Sequence, residues 1–385
     1  MQNRMKLLDG VKRIVVKIGS GVMAGADGGL SEDTLQRLTG DICALEADGR
    51  FEVIVVSSGA VMGGRKALAL PAGKLSIPQK QAAAAVGQVK LMDMWKKHFS
   101  VRGRKVAQIL LTHGDIEDSA RYRNVRNTVT TLLDMKVIPV INENDSTAVD
   151  ELKFGDNDTL AAKITSVVDA DLLLILSDVD GLYESDPRKN PLAKIIPQVE
   201  TIDEIVLALA GDSSSGSGTG GMRAKVRAAQ VASDYGVPVW IIGGGTTGAI
   251  QDALRQGKGG TFFHPAQGMS AKQHRILHIL KPRGEIVVDD GAKQALTGGK
   301  KSLLPSGIVA VRGDFEAGDV VVVVDGQGAP LIKGVVQYDH AEVDKIKGKK
   351  SSEIESILGY KKKDEVMHRD DTATYTLVSA GKAGE

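Results

Sequence analysis

Short apolar runs of strand length alternate with longer stretches of helical periodicity over the first 260 residues of the chain. The runs are rich in Val, Ile and Leu, as in buried β-strands, and the stretches between them repeat apolar positions every three or four residues, as in helices. Because such alternation builds parallel strands joined by crossover helices, it indicates an α/β fold with a mostly parallel sheet sandwiched by helices. We predict strands at residues 11–18, 51–56, 105–112, 137–140, 172–176 and, as the last, 238–242. We predict helices from residue 31, at 79–98, 118–135 and 222–235, and one that follows the glycines at 243–245 and ends at residue 254.

The pattern changes after Pro282, where short runs of Val and Ile are separated by Gly and Asp. These runs, at 285–288, 307–311 and 319–324, have few helical patterns between them and predict a small, mostly β domain. The predicted division is an α/β domain over residues 1–270, a linker over 271–283 and the mostly β domain over 284–385.

Composition narrows the class of protein. The 385 residues are 42% hydrophobic and 25% charged with a net charge of +1, which fits a soluble globular protein and gives no general attraction to nucleic acid or membranes. No apolar run reaches the roughly 18 residues that span a bilayer, and the N-terminus lacks the apolar core of a signal peptide, so we expect a cytoplasmic protein. The single Cys43 cannot form an internal disulfide, and its place in the apolar pattern suits a core thiol better than a nucleophile.

Two clusters of amide and carboxylate side chains follow the predicted strand at 137–140. The first is NEND at residues 142–145, and the second, GDND at residues 155–158, opens a helix. Such side chains at the end of a strand can bind an ammonium group and orient lysines. The alternative is turn chemistry with an N-cap, in which Asn157 or Asp158 satisfies free N–H groups of the helix. Taken alone, the clusters leave both interpretations open.

A glycine turn, Gly19-Ser20-Gly21, follows the first predicted strand. Backbone N–H groups in such a turn can approach a phosphate closely, and Lys17 could place its ammonium among the phosphate oxygens. The turn also matches the dinucleotide pattern G-x-G-x-x-A, but the next strand ends in SSGA at 57–60 rather than in the acidic residue that the pattern expects. A Walker A motif is absent from the whole sequence, so a nucleotide site here is not a P-loop.

Three further segments carry candidate chemistry. Ser58 and Gly59, after the second strand, could receive a carboxylate or could form an ordinary βα turn with the serine as N-cap. Ser177 and Asp178, after the fifth strand, could hold a nucleotide or only make a turn. The alanine-rich first half of the helix at 79–98 permits close packing against another helix or a second subunit, and an internal helix explains it equally well.

The loop at residues 211–221, GDSSSGSGTGG, has the composition of a linker but opens a helix with Lys225 in its first turn, a placement that suits phosphate better. Lys17 and Lys225 therefore both stand in glycine-rich settings, with the carboxylate clusters between them along the chain. This points to phosphoryl transfer, which depends on positioning and charge neutralisation more than on a base. A carboxylate acceptor is already ionised and needs no proton removed. His274 and His278 stand four apart but have no H-E-x-x-H pattern or Cys partner, so they do not predict a metal site.

Five motifs stand in order along the chain: VVKIGS at 15–20, SSGA at 57–60, VINEND at 140–145, GDND at 155–158, and GTGGM at 218–222 with Lys225. Together they resemble the glutamate 5-kinases of the amino acid kinase family, and the resemblance covers nearly the whole chain. The C-terminal part looks like the PUA domain, a small mostly-β barrel found in many of these kinases. Its matching segments are GEI at 284–286, SLLP at 302–305, LGY at 358–360 and HRDD at 368–371.

The resemblance implies ATP-dependent phosphorylation of the γ-carboxylate of L-glutamate, the first step of proline biosynthesis, with Mg²⁺ on the nucleotide. By match to the family's motifs, Lys17 and Lys225 would stabilise the transferring phosphoryl group, and Asp158 would orient both lysines. The residues implied to hold glutamate are Ser58, Asp145 and Asn157, with Asn142 and Asp156 nearby. The residues implied to bind ATP are Lys17, Ser177, Asp178, Thr219, Gly220, Gly221, Met222, Arg223, Ala224 and Lys225.

The resemblance also implies a homo-oligomer, either a dimer or a tetramer, feedback inhibition by proline, and a downstream glutamyl phosphate reductase. The sequence departs from the family at Ser20, where Thr is common, and at Arg223-Ala224, where Ser-Thr often occurs. The second interpretation is another enzyme of the same fold, acting on a different carboxylate or on a nucleotide. A third is RNA binding by the C-terminal domain, against which the near-neutral charge and the lack of an aromatic-rich stacking surface weigh.

Overall fold

A computed structural model of the chain describes residues 2–47, 49–71, 73–147, 157–211, 221–266, 273, 276–277, 280–299 and 301–375. The described residues fall into two compact units, one within residues 1–113 and 125–268 and the other within 114–124 and 269–385. The short segment 114–124 thus groups with the C-terminal unit, although nothing in its sequence separates it from its neighbours. Five residues named above lie outside the described residues, namely Asp156, Thr219, Gly220, His274 and His278.

The first unit is built on one eight-stranded sheet. Its strands are β1 (Arg13–Ile18), β2 (Glu52–Ser57), β3 (Lys105–Leu111), β4 (Val137–Glu143), β5 (Leu172–Ser177), β6 (Gln198–Val199), β7 (Val239–Gly243) and β8 (Thr261–Phe263). The strand order is β3-β4-β2-β1-β5-β7-β8-β6, and every neighbouring pair is parallel except β7 with β8. The helices of the same stretch of chain are α1 (Gln2–Leu8), α2 (Ser20–Met23), α3 (Glu32–Glu46), α4 (Ala60–Ala67), α5 (Ile77–Ser100), α6 (His113–Glu117), α7 (Ser119–Asp134), α8 (Asn157–Val167), α9 (Glu204–Leu209), α10 (Met222–Asp234) and α11 (Ala249–Gln256).

The predicted α/β class is confirmed, with two corrections at the level of strands. The strand at 238–242 is not the last, because β8 follows it, and β6 was not predicted at all. Both missed strands are too short, at three and two residues, to leave an apolar run in the sequence. The second correction concerns Asn142 and Glu143, which belong to β4 rather than to the turn after it, since their backbones pair with β3.

Side chains alternate between the two faces of this sheet, and the alternation decides where Lys17 points. Ile14, Val16 and Ile18 of β1 belong to one core cluster with residues of α3, α5 and α11. Lys17 has the opposite parity, so its side chain lies on the other face, where α8 packs against β1 and against α10. The side chain of Lys17 therefore points towards α8.

Helices α4 and α5 touch backbone to backbone. A Cβ added at Gly64 would lie 1.7 Å from the carbonyl oxygen of Ala83, and one added at Gly87 would lie 1.8 Å from that of Ala60. Only glycine fits at both positions. The close packing predicted for the alanine-rich segment is thus confirmed, with α4 as its partner.

The second unit has its own five-stranded sheet and its own core. The core brings together Ile286, Val323, Ile332 and Tyr338, all with no more than 1% of their surface exposed. The predicted strands at 285–288, 307–311 and 319–324 are present, whereas three helices there were not predicted. The elements are β9 (Gly284–Val288), α12 (Asp290–Gly299), β10 (Ile308–Gly313), β11 (Val320–Val324), β12 (Pro330–Val336), α13 (His340–Ile346), α14 (Ile354–Leu358) and β13 (Met367–Thr374), in the sheet order β10-β9-β11-β12-β13. Across the described part of both units, no helix is both long and apolar enough to cross a membrane.

Candidate active site

The predicted site residues gather at one edge of the first sheet. Strands β4, β2, β1 and β5 are consecutive parallel neighbours, so their carboxyl ends lie side by side. Asn142, Ser58, Lys17 and Ser177 stand at or just after these four ends. Ligands of open α/β sheets bind at this edge because the connecting loops and helix N-termini converge there.

Asp158 joins the two lysines that the sequence singled out. Its Oδ1 lies 2.5 Å from Nζ of Lys17, and its Oδ2 accepts a hydrogen bond of 3.4 Å from Nζ of Lys225. The three side chains come from β1, α8 and α10 and are only 5%, 2% and 6% exposed for Lys17, Asp158 and Lys225. Residues that are remote in the chain therefore form one buried cluster of ion pairs.

The cluster has a fixed charge state. Burial alone would raise the pKa of Asp158, but the ammonium groups of Lys17 and Lys225 outweigh it and hold that pKa below the ordinary value. Asp158 is therefore an anion at neutral pH. One carboxylate between two ammonium groups leaves one positive charge in surplus at a site with little water, where an anionic group is strongly attracted.

The glycine turn after β1 packs against the end of β5. A Cβ added at Gly19 would lie 3.3 Å from the carbonyl oxygen of Leu176, and one added at Gly21 would lie 3.2 Å from the carboxylate of Asp178. Ser177 donates a 3.2 Å hydrogen bond from Oγ to Asp178 Oδ1 and is itself buried. Of the predicted nucleotide pair, Asp178 thus lies exposed beside the glycine turn, while Ser177 orients it.

Helix α10 begins at this same edge. Its N-cap is Gly221, which has no side chain to satisfy the first N–H groups of the helix. Lys225 is in the first turn, so its ammonium lies at the positive end of the helix dipole. Of the other predicted ATP residues, Met222, Arg223 and Ala224 form that first turn.

A chain of amide side chains runs along the other half of the edge. Nδ2 of Asn157 donates to Oγ of Ser58 at 3.1 Å and to Oδ1 of Asn142 at 3.0 Å. Nδ2 of Asn142 then donates to Oε1 of Gln88 at 2.8 Å. Gln88 was not predicted, and the signal for it was a glutamine in the register of Ala84 and Leu91 on the buried face of α5.

The N-cap alternatives for these residues do not hold. The N-cap of α4 is Gly59 at φ 104°, a conformation that favours glycine, and an added Cβ would lie 2.9 Å from both Leu30 and Met23. Ser58 precedes the cap and bonds to Asn157 instead. The side chains of Asn157 and Asp158 likewise contact partners on other elements.

Asp145 lies at a small cavity next to the amide chain. The cavity has a volume of about 230 Å³ and is lined by Gln88, Gln108 and Asp145 among polar residues and by Ala84 and Leu110 among apolar ones. Burial raises the pKa of Asp145 to about 6, which the charge of Lys80 offsets only in part. Within the described residues, its Oδ1 is buried without a hydrogen-bond partner. No group of three or more His, Cys, Asp or Glu residues in that same set could hold a metal ion.

Known proteins resemble this chain over almost its full length. The sequence profile of the Amino acid kinase family matches residues 12–243, and that of the PUA domain matches residues 284–358. Glutamate 5-kinase of Geobacter sulfurreducens is 47% identical over 369 residues, covering 96% of this chain and 99% of that protein. Glutamate 5-kinase of Syntrophotalea carbinolica is 48% identical with 96% and 98% covered, and that of Geobacter metallireducens is 49% identical with 96% and 99% covered.

Proposed function

The chain belongs to the amino acid kinase family, among the relatives of the glutamate 5-kinases, and we propose that the cluster of Lys17, Asp158 and Lys225 transfers the terminal phosphoryl group of ATP to the γ-carboxylate of L-glutamate. The products are L-glutamyl 5-phosphate and ADP, and the reaction is the first step of proline biosynthesis. The separate match of the PUA profile to residues 284–358 confirms the predicted C-terminal PUA domain.

The observation that carries this assignment is the bridging carboxylate of Asp158. Each of its two oxygens pairs with one ammonium group, which holds the two ammonium groups close together, so both can face the same phosphoryl group. In phosphoryl transfer, charge spreads over the equatorial oxygens, and fixed cations stabilise it without having to reorganise. Lys17 and Lys225 fulfil that requirement, and Asp158 acts on the reaction through them.

The acceptor requires no general base. A γ-carboxylate is ionised at neutral pH and can attack directly once it is positioned in line. Asp158, already an anion held between two cations, is not placed to take up a proton. We assign the positioning of glutamate to Ser58, Asn157 and Asp145, with Asn142 supporting Asn157.

The nucleotide phosphates belong between the glycine turn after β1 and the N-terminus of α10. Lys17 lies in β1 two residues before the turn, and Lys225 lies in the first turn of α10, whose dipole favours an anion at its N-terminus. Mg²⁺ is usually held by phosphates, water and one or two carboxylates rather than by a dedicated set of protein ligands. Asp178, exposed beside Gly21, would share in holding it, and the bound ion would neutralise charge on the β- and γ-phosphates.

Regulation and assembly follow from the relationship rather than from the geometry of the site. We expect a homo-oligomer, inhibition by proline, and consumption of the product by a glutamyl phosphate reductase. The acyl phosphate is labile in water, which favours its rapid use by the next enzyme. Titration of the kinase with L-proline tests the second expectation directly.

The assignment is tested by trapping the product. ADP release is measured with L-glutamate, L-aspartate, N-acetyl-L-glutamate or UMP as acceptor, and hydroxylamine is added to convert an acyl phosphate to its hydroxamate. We expect ADP and hydroxamate in equal amounts with L-glutamate alone. Equal turnover with UMP or with another carboxylate would favour a different enzyme of this fold, and a gel shift with RNA in the absence of turnover would favour the binding protein.

A further inference from the structure

The backbone N–H of Glu143 fixes which end of each asparagine side chain in the amide chain is the oxygen and which is the nitrogen. The N–H of Glu143 donates to Oδ1 of Asn142 at 2.9 Å and to Oδ1 of Asn157 at 3.4 Å. A backbone N–H can only donate, so both asparagines must turn their oxygens towards it. Their Nδ2 groups then point along the chain, to Ser58 and to Gln88.

This direction leaves a hydrogen-bond donor at the far end. Gln88 must present Oε1 to Nδ2 of Asn142, and the bond is 2.8 Å long. Its Nε2 therefore faces away from the chain. Within the part of the chain that the structure describes, Nε2 is buried without a partner, and Gln88 as a whole is 8% exposed.

An acceptor without a partner lies at the same cavity. Gln88 and Asp145 both line it, and Asp145 is 7% exposed with Oδ1 buried and unbonded among the described residues. A buried donor and a buried acceptor that bond to nothing each cost free energy, which a ligand with the complementary pair would recover. The volume of about 230 Å³ is below the roughly 300–1,000 Å³ of pockets for larger ligands and fits a single amino acid.

We propose that Gln88 is a specificity residue that donates from Nε2 to the α-carboxylate of the amino acid substrate, while Asp145 accepts from its α-ammonium. The inference rests on the proposed function, because it names the part of the substrate that this cavity holds. Through Asn142 and Asn157, the amide chain then connects Gln88 at the pocket for the α-carboxylate to Ser58 at the carboxyl end of β2. Because Gln88 is held by Asn142, and Asn142 by a backbone group, the donor is fixed in place before the substrate arrives.

The substitution that isolates this role is Gln88→Glu. Glutamate keeps an oxygen for Asn142 but replaces the donor by a second oxygen, which repels a carboxylate once ionised, so the assay is run at about pH 8.5. From the strength of hydrogen bonds to charged groups, we expect the KM for L-glutamate to rise about 10- to 100-fold with the KM for ATP unchanged. Gln36→Glu, at an exposed position of α3 outside the residues that line this cavity, is the matched control and should leave the KM for L-glutamate within about threefold.

If Gln88 only supported Asn142 and did not contact the substrate, its variants would behave differently. In that case Gln88→Glu, which preserves the contact to Asn142, would behave like the wild type, and Gln88→Met, which removes it, would lower kcat/KM for every acceptor. The probe that separates the two is 4-aminobutanoate, which equals glutamate without its α-carboxylate, used as a substrate or as a competitive inhibitor.

We expect the preference for L-glutamate over 4-aminobutanoate to fall about 10- to 100-fold in Gln88→Glu, because only glutamate loses a contact. Equal losses with both compounds, or no loss with glutamate, would overturn the role given to Gln88. Failure of the wild-type enzyme to form acyl phosphate from L-glutamate would instead overturn the proposed function, so the two failures are distinguishable.

Discussion

Lys17 and Asp158 form a buried ion pair in which Nζ lies 2.5 Å from Oδ1, although one residue lies in the first strand and the other in the first turn of the helix after the fourth. The pair forms because the parity of β1 carries Lys17 to the face on which α8 packs. Since Asp158 also accepts from Lys225, its carboxylate decides both the positions and the net charge of the two cations. The following predictions test this arrangement and the pocket beside it.

Removing Lys225 should lower turnover without unfolding the protein. In Lys225→Met, Asp158 remains paired with Lys17, so the buried carboxylate is not left without a cation. We expect kcat to fall about 100- to 1,000-fold, because the lost charge acts mainly on the transition state. Arg227→Met, at an exposed position of the same helix, should keep its activity, and wild-type turnover in Lys225→Met would exclude the role of that lysine.

Removing the charge of Asp158 should destabilise the enzyme. Asp158→Asn leaves two buried ammonium groups side by side, and we expect the free energy of unfolding in urea to fall by about 3–5 kcal/mol. The folded pKa of Asp158 is lowered, so its contribution is present at neutral pH and is lost as the pH falls through that value. The stabilities of variant and wild type should therefore converge in acid.

ATP should raise the Tm of Asp158→Asn more than that of the wild type, because its phosphates supply the missing negative charge. Asp93→Asn, an exposed position on α5, is the control and should change stability by less than about 0.5 kcal/mol. Equal stability of Asp158→Asn and Asp93→Asn would contradict the buried cluster.

Asp145 should make glutamate binding dependent on pH near 6. Its carboxyl group must be ionised to accept from the α-ammonium, and burial raises its pKa to about 6. We expect the KM for L-glutamate to rise about tenfold per unit below pH 6, with the KM for ATP unaffected. A flat profile down to pH 5 would show that the carboxylate is not in the binding step.

The same pKa shift predicts that the ionised side chain of Asp145 lowers the free energy of unfolding at neutral pH. A carboxyl whose pKa rises from 3.8 to about 6 on folding is stabilising only when protonated, so the wild type loses stability as the pH rises between these values. Asp145→Asn should be more stable than the wild type by about 1–3 kcal/mol above pH 6, while binding glutamate more weakly. Urea unfolding at pH 5 and pH 8 measures the difference.

The contact between α4 and α5 should tolerate no side chain. In Gly87→Ala the new Cβ would meet backbone atoms of Ala60, so the helices must separate, which shifts Gln88 relative to Ser58. We expect a loss of about 1–3 kcal/mol and a raised KM for L-glutamate. Gly298→Ala, in a helix of the C-terminal unit where nothing lies within 4 Å of the added Cβ, should be neutral or stabilising, and similar behaviour of both variants would contradict the packing.

Hydrophobic periodicity was sufficient to predict most of the larger strands and helices of the first unit. A helix with one buried face repeats apolar residues every three or four positions, and a fully buried strand is a continuous apolar run. It was not sufficient for β6 and β8, which pair through backbone groups over two and three residues. It also missed α12, which lies between strands of the second sheet. Short elements are decided by what they pack against, and that information is not local.

The candidate site divides in the same way. Lys17, Asp158 and Lys225 could be named from the sequence. They stand in or beside glycine-rich turns and strand ends, where phosphate and charged groups are commonly bound, and within motifs that resemble those of a known family. That Asp158 bridges both lysines, that Ser58 is not an N-cap, and that Gln88 completes the amide chain were decided by the tertiary structure alone. The physical reason is that charges and hydrogen bonds act over a few ångströms of space, whereas the groups that meet here come from six segments that are far apart along the chain.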